Sequence, residues 1–168
     1  EGWLYLAVIL DLYSRRVIGW AVSNRMKRDL AIRALEMAMA LRQPPKGCIH
    51  HTDRGSQYCS NDYQKLLTKH GFKVSRSGKG NCYDNSIVET FFKSIKAELI
   101  WRNGWETRRK AEGAIFQNIN GFYNPRRRHS SLGGKSPLGI RTKGRINKFR
   151  DQNASATRPQ GIFCHHPP

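Results

Sequence analysis

Two carboxylates, Asp53 and Glu89, stand at positions from which metal-assisted phosphoryl chemistry is commonly built. Asp53 closes the short run Cys48-Ile49-His50-His51-Thr52, which reads as a strand, and open α/β sheets place ligand chemistry at such strand ends. Glu89 falls in the first turn of a long amphipathic stretch, and thirty-five residues separate the two acids. A Mg²⁺ ion takes only one or two carboxylates and completes its shell with water and substrate oxygens, so acids must converge from separate elements. Each acid also has an ordinary structural account. Ser86-Ile87-Val88-Glu89 fits a capping box, and Asp53-Arg54-Gly55 fits a turn.

The company these acids keep is cationic. Lys and Arg number 30 against 12 acidic residues in 168, a formal charge of +18. Such an excess repels itself in a compact fold and calls for a polyanionic partner. No apolar run approaches the length of a membrane span, and no charged-then-apolar leader opens the chain. Nucleic acid and an anionic membrane surface both qualify as that partner, and the expectation is a soluble cytoplasmic protein that meets DNA or RNA, without a membrane partner.

Lys93 and Lys96 follow Glu89 at i+4 and i+7, so the three share one helical face. The structural account is a solvated Glu–Lys pair worth about 0.3–0.5 kcal/mol. The functional account, favoured by the charge, is phosphate contact. Arg126, Arg127, Arg128 and His129 form a second basic cluster, either a phosphate site or a solvated loop. Asp11 opens a polar turn and is an ordinary turn residue, with metal ligation as the alternative. Trp3, Trp20, Phe91 and Phe92 occupy buried-pattern positions and read as core. Tyr58, in the loop past Asp53, is a candidate nucleic-acid contact. Cys48, Cys59, Cys82 and Cys164 match no disulfide scaffold or zinc ribbon and read as free thiols, with Cys164-His165-His166 as a minor chelating alternative.

The elements that must position these residues follow from periodicity. The unbroken apolar run Trp3–Leu10 reads as a strand buried on both faces, paired as a hairpin with Val17–Val22. A helix is expected from about Asp29 to Arg42, stopped by Pro44-Pro45. Ser60 is expected to cap a helix to about Lys69, with a weak strand over Phe72-Lys73-Val74. The stretch Ser75–Asn81 reads as a mobile basic loop, followed by helices from about Asn85 to Trp101 and Thr107 to Tyr123. One domain is expected over residues 1–140, with a basic, disordered tail over 141–168.

His51-Thr52-Asp53-Arg54-Gly55-Ser56-Gln57-Tyr58 resembles the segment around the second catalytic Asp of insertion-sequence transposases and retroviral-type integrases. Asp84-Asn85-Ser86-Ile87-Val88-Glu89-Thr90-Phe91-Phe92-Lys93 resembles the segment holding their third acid, at the same Asp-to-Glu spacing. Leu10–Arg15 is similar to a hairpin of the group, and Phe122-Tyr123-Asn124, Arg128-His129, Leu132 and Ser136-Pro137 to its C-terminal pattern. The similarity spans about Glu1 to Pro137 and is nearest to bacterial transposases encoded in a second reading frame.

This resemblance to the DDE transposases implies a ribonuclease-H-like fold, a mixed five-stranded sheet with helices on both faces. It implies Asp53 and Glu89 as ligands for two Mg²⁺ or Mn²⁺ ions about 3.5–4 Å apart, and Lys93 and Lys96 as contacts to the DNA end. The implied activity is DNA strand cleavage followed by joining through a 3′-hydroxyl, on element ends and target DNA, by a homo-oligomer. The family's first Asp lies on a Thr-Asp-bearing strand, and this chain shows no match to it. The expectation is therefore a core lacking its first, central strand, which folds poorly and is inactive as it stands. A non-catalytic DNA-binding remnant of a transposable element is the alternative; a nuclease without joining activity shares the metal logic.

Overall fold

The computed structural model describes residues 2–53, 55–76, 86–140, 154–156 and 160–164. Its centre is β1 (Gly2–Asp11), paired antiparallel with β2 (Val17–Ser23) as the apolar run predicts. Alternation along β1 divides the core in two. Leu4, Leu6, Val8 and Leu10 point to a cluster with Phe91, Phe92, Ile95, Ile115 and Ile119, whereas Ala7 and Ile9 meet Leu30, Ala34, Leu35, Tyr63 and Leu67. A strand clothed on both faces needs no polar residue in its middle, which is why the sequence shows none. Burying each large side chain contributes roughly 1.5–3 kcal/mol.

The first face is covered by α3 (Ser86–Ile95), which runs on as a π-helical turn over Lys96–Ile100, and by α4 (Arg108–Gln117), extended likewise over Asn118–Tyr123. Thr107 caps α4 by accepting from the Lys110 N–H at 3.1 Å. The second face is covered by α1 (Arg28–Arg42) and α2 (Asn61–Lys69). Ser60 stands at the N-cap of α2, but its hydroxyl donates to Gln57 O at 2.8 Å instead of accepting from the helix. Gly19 lets α1 sit hard on β2: a Cβ there would come 2.1 Å from Ala34 O. β3 (Ile49–Thr52) and β4 (Lys73–Arg76) are parallel.

The position between β1 and β3 is filled by the tail. β5 (Ala154–Ala156) is antiparallel to β1 and parallel to β3, and β6 (Gln160–Cys164) is antiparallel to β1, giving the order β2-β1-β5-β3-β4. Both segments belong to the stretch after residue 140. The rest of the tail, the Ser77–Asn81 part of the basic loop, Cys82 and the His165-His166 pair lie outside the described residues.

A register shift between Ile9 and Leu10 leaves Ile18 as an extra residue on β2, and at that bulge the chain is gripped from far away. The buried Asn124 side chain accepts from Val17 N at 2.9 Å and donates to Val17 O at 3.0 Å, so its amide stands in for a neighbouring strand. Deleting it orphans a buried donor and a buried acceptor, at about 1–3 kcal/mol each. Asn124→Ala is expected to lower stability by roughly 2–6 kcal/mol, read as a fall in the urea midpoint at unchanged m value. A loss within error of zero contradicts the bracket.

Candidate active site

Asp53 follows β3 directly, half-buried, where the parallel strands β3 and β4 end together. Its Oδ1 accepts from the Gly55 N–H at 2.8 Å, the turn bond that the structural account of this residue requires. A carboxylate has about four lone-pair directions, so this bond orients the group without consuming it. The approach is tight: a Cβ on Gly55 would lie 2.8 Å from Asp53 Oδ1 and 2.7 Å from Gln57 Nε2. Gly55 is thus a positioning element that motif reading passes over, although a glycine two residues after the acid is its visible signal.

Glu89 is half-buried in the first turn of α3, where the helix dipole favours negative charge. Ser86 is the first described residue of the helix, three positions before Glu89. Lys93, exposed, lies one turn further along the same helix. Lys96, half-buried, begins the π-helical turn, which Trp101 N closes on Lys96 O at 2.9 Å. The structure thus gathers Glu89, Lys93 and Lys96 on one helix and sets Asp53 on a separate element.

Other candidates settle into structural roles. The Asp11 carboxylate pairs with Arg42 at 2.6 Å and accepts from Ser14 Oγ at 2.8 Å and Tyr13 N at 3.0 Å, so it builds the hairpin turn and clamps the end of α1. Arg127 is ion-paired with Glu98, bonded to Ser94 Oγ at 3.3 Å and stacked over Tyr123, which ties the basic cluster to α3; Arg126 and Arg128 remain exposed. Tyr58 is not a surface contact. Its ring is 1% exposed and packs edge-on against Tyr63 at 5.4 Å, because the loop after Asp53 folds inward over α2. Trp3, near the start of its strand, is 42% exposed and stacks on Tyr5, while Trp20 is partly buried and Phe91 and Phe92 are buried as expected.

Among the described residues no group of three or more His, Cys, Asp or Glu is arranged around a metal position. The two carboxylates nevertheless fit a hard divalent cation in kind, since both offer oxygen donors and such an ion asks for only one or two acids. The neighbouring histidines do not. His50 is buried, shares its Nε2 with the Tyr63 hydroxyl at 2.9 Å, and is held neutral by burial, its pKa pushed down to about 3. His51 Nδ1 is engaged with Ser75 Oγ at 3.0 Å.

Two family models described as integrase core domain match the chain, one over residues 1–82 and one over residues 70–137. The chain belongs to the integrase core family. This integrase core is 52% identical over 137 residues to the transposase InsF for insertion sequence IS3A of Escherichia coli (strain K12), covering 82% of the chain and 48% of that relative. It is 46% identical over 143 residues to an insertion element IS600 uncharacterized 31 kDa protein of Shigella sonnei, covering 85% of the chain and 53% of that protein. The chain thus spans about half the length of the curated relatives it matches.

Solved structures give the fold. The simian T-cell lymphotropic virus intasome in complex with PP2A regulatory subunit B56 gamma matches with TM-score 0.66 at 19% identity, over 88% of this chain and 51% of that one. The HTLV-2 integrase catalytic core domain in complex with magnesium, in its trimeric form, matches with TM-score 0.60 at 18% identity, over 81% and 84%. The expected ribonuclease-H-like architecture, a mixed sheet between two helical layers, is the one observed. No helix of the described residues is long and apolar enough to cross a membrane.

The His50 environment sets an acid limit on the fold. Its folded pKa lies below the ordinary 6.5, so the unfolded chain binds the extra proton. Stability contributed by the neutral ring is complete above pH 6.5 and falls as pH drops toward about 3. The slope is about 1.4 kcal/mol per pH unit in that window. Urea melts from pH 7 to 4 are expected to show this acid limb, and His50→Gln to flatten it; an unaltered slope in the variant counts against the assignment.

Proposed function

We propose that this chain is the core of a DDE transposase that cleaves DNA and joins strands by metal-dependent polynucleotidyl transfer, with Asp53 and Glu89 as metal ligands. The observation that carries it is the placement of these acids on an integrase-core fold, one at the end of β3 and one in the first turn of α3. Bound Mg²⁺ or Mn²⁺, two ions in the complete site, would supply the Lewis acidity that polarises the scissile phosphate and lowers the pKa of the attacking hydroxyl. Asp53 is held ready by the Gly55 turn bond, so little reorientation is needed on metal binding. Lys93 and Lys96 extend positive charge from the site along α3 and contact the DNA end through its phosphates. The DNA partners are element ends and target, and the working form is a homo-oligomer, in keeping with HTLV-2 integrase cores solved as dimer and trimer. A non-catalytic remnant accounts for the charge of +18 but leaves the retained spacing of the acids without a reason.

The acids are tested in a chain extended upstream of Glu1 by a Thr-Asp-hydrophobic strand of the family kind. Asp53→Asn and Glu89→Gln are each expected to reduce Mg²⁺-dependent cleavage of an end-bearing duplex by roughly 100-fold or more, with DNA affinity nearly unchanged. Full cleavage by either variant removes that residue from the mechanism.

The lysines have a separate readout in the binding equilibrium. Lys93→Ala and Lys96→Ala should each weaken duplex binding irrespective of sequence and reduce the salt slope by about 0.9. Anisotropy titrations across salt concentrations measure it; an unchanged slope returns these lysines to a solvated helix face.

A further inference from the structure

β1 is buried on both faces, with Leu6, Val8 and Leu10 wholly enclosed, so water cannot satisfy its backbone groups. One edge pairs with β2 through Tyr5–Leu10. Tyr5 and Leu6 also pair with Gly161 and Gln160, and Ile9 and Leu10 with Ala156 and Ser155. β5 and β6 must therefore lie along the other edge of β1, in one lane. Between the two stretches the register steps by one. On its far side β5 is parallel to β3, with Thr52, the residue before Asp53, opposite Ala156.

We propose that β1 and β3 form a strand-accepting slot, and that the chain's own tail, through β5 and β6, completes the sheet there. The pairing explains how β1 satisfies both edges and how β3, only four residues long, is fixed at the height that presents Asp53. While seated, the tail excludes any other strand from between β1 and β3. Neither Ala154–Ala156 nor Gln160–Cys164 contains an acid, so the sheet closed in this way sets no carboxylate from its central lane beside Asp53. The tail-closed form is then a folded core with an incomplete acid set. This last consequence rests on the proposed function, whereas the strand placement does not.

Cross-linking reads the placement directly. Trp3 and Phe163 are register partners, and opposed Cα atoms in an antiparallel pair, about 4.5–5.5 Å apart, fall within the disulfide range. Trp3 is well exposed, so its replacement leaves the core untouched. In the 168-residue chain, the double variant W3C/F163C is expected to oxidise to a disulfide between the two introduced thiols, identified by peptide mapping. W3C alone should join the native Cys164 several-fold less, because neighbouring residues on a strand face opposite sides of the sheet. Equal joining to both, or to neither, overturns the proposal. Amide exchange on the unaltered chain supplies an independent readout: residues 154–156 and 160–164 should be protected to a degree comparable with the paired residues of β3, and fast exchange throughout both segments is the contrary result. Neither measurement involves cleavage or metal, so failure of the catalytic reading leaves both results interpretable.

Discussion

A strand enclosed by apolar side chains on both faces must find backbone partners along both edges, and most of this structure can be traced to that demand on β1. Its alternating residues divide the interior into two clusters, one beneath α3 and α4 and one beneath α1 and α2. The hairpin with β2 satisfies one edge. The other edge recruits β5 and β6, and through β5 the β3–β4 pair joins the same sheet. Asp53 stands at the end of β3, so the position of one candidate ligand depends on how the far edge of β1 is completed.

The outer edge of the sheet is treated differently. β2 has β1 on one side only, and its bulge exposes the Val17 peptide groups to a region closed by the C-terminal helix. Asn124 meets them with both ends of its amide. A helix-terminating residue thereby fastens the end of α4 to the strand edge, and Arg127, three residues on, fastens the same region to α3 through Glu98 and Ser94. The helix that bears Glu89 is held to the sheet by apolar packing and to the C-terminal segment by these polar ties. Asp11 and Arg42 do the equivalent at the hairpin turn and the end of α1.

The candidate site combines rigid and local devices. Asp53 is oriented by one bond to Gly55, whose missing side chain leaves room for Asp53 Oδ1 and Gln57 Nε2 to approach. Behind it, Tyr58, Tyr63 and His50 form a buried aromatic group that fills the space between β3 and α2. Burial raises the pKa of both tyrosines and lowers that of the histidine, so all three are neutral at physiological pH. This support adds no charge of its own, which leaves the carboxylate as the anionic feature of the strand end.

What the sequence by itself determined was whatever depends on short-range pattern. The doubly buried strand, the hairpin, the helix limits to within a residue or two and the placement of Asp53 and Glu89 at a strand end and a helix start all follow from periodicity and breakers. The family resemblance followed from contiguous motifs, and the fold it implied is the one found. Tertiary structure alone decided the partners. Tyr58 sits in a polar loop and gives no local sign that the loop folds over α2, and Trp3 shares the apolar run of β1 yet is 42% exposed. Asn124 reads as a helix stop because its partner, Val17, is 107 residues away. The pairing of β5 and β6 with β1 likewise joins segments about 150 residues apart, which no local pattern encodes.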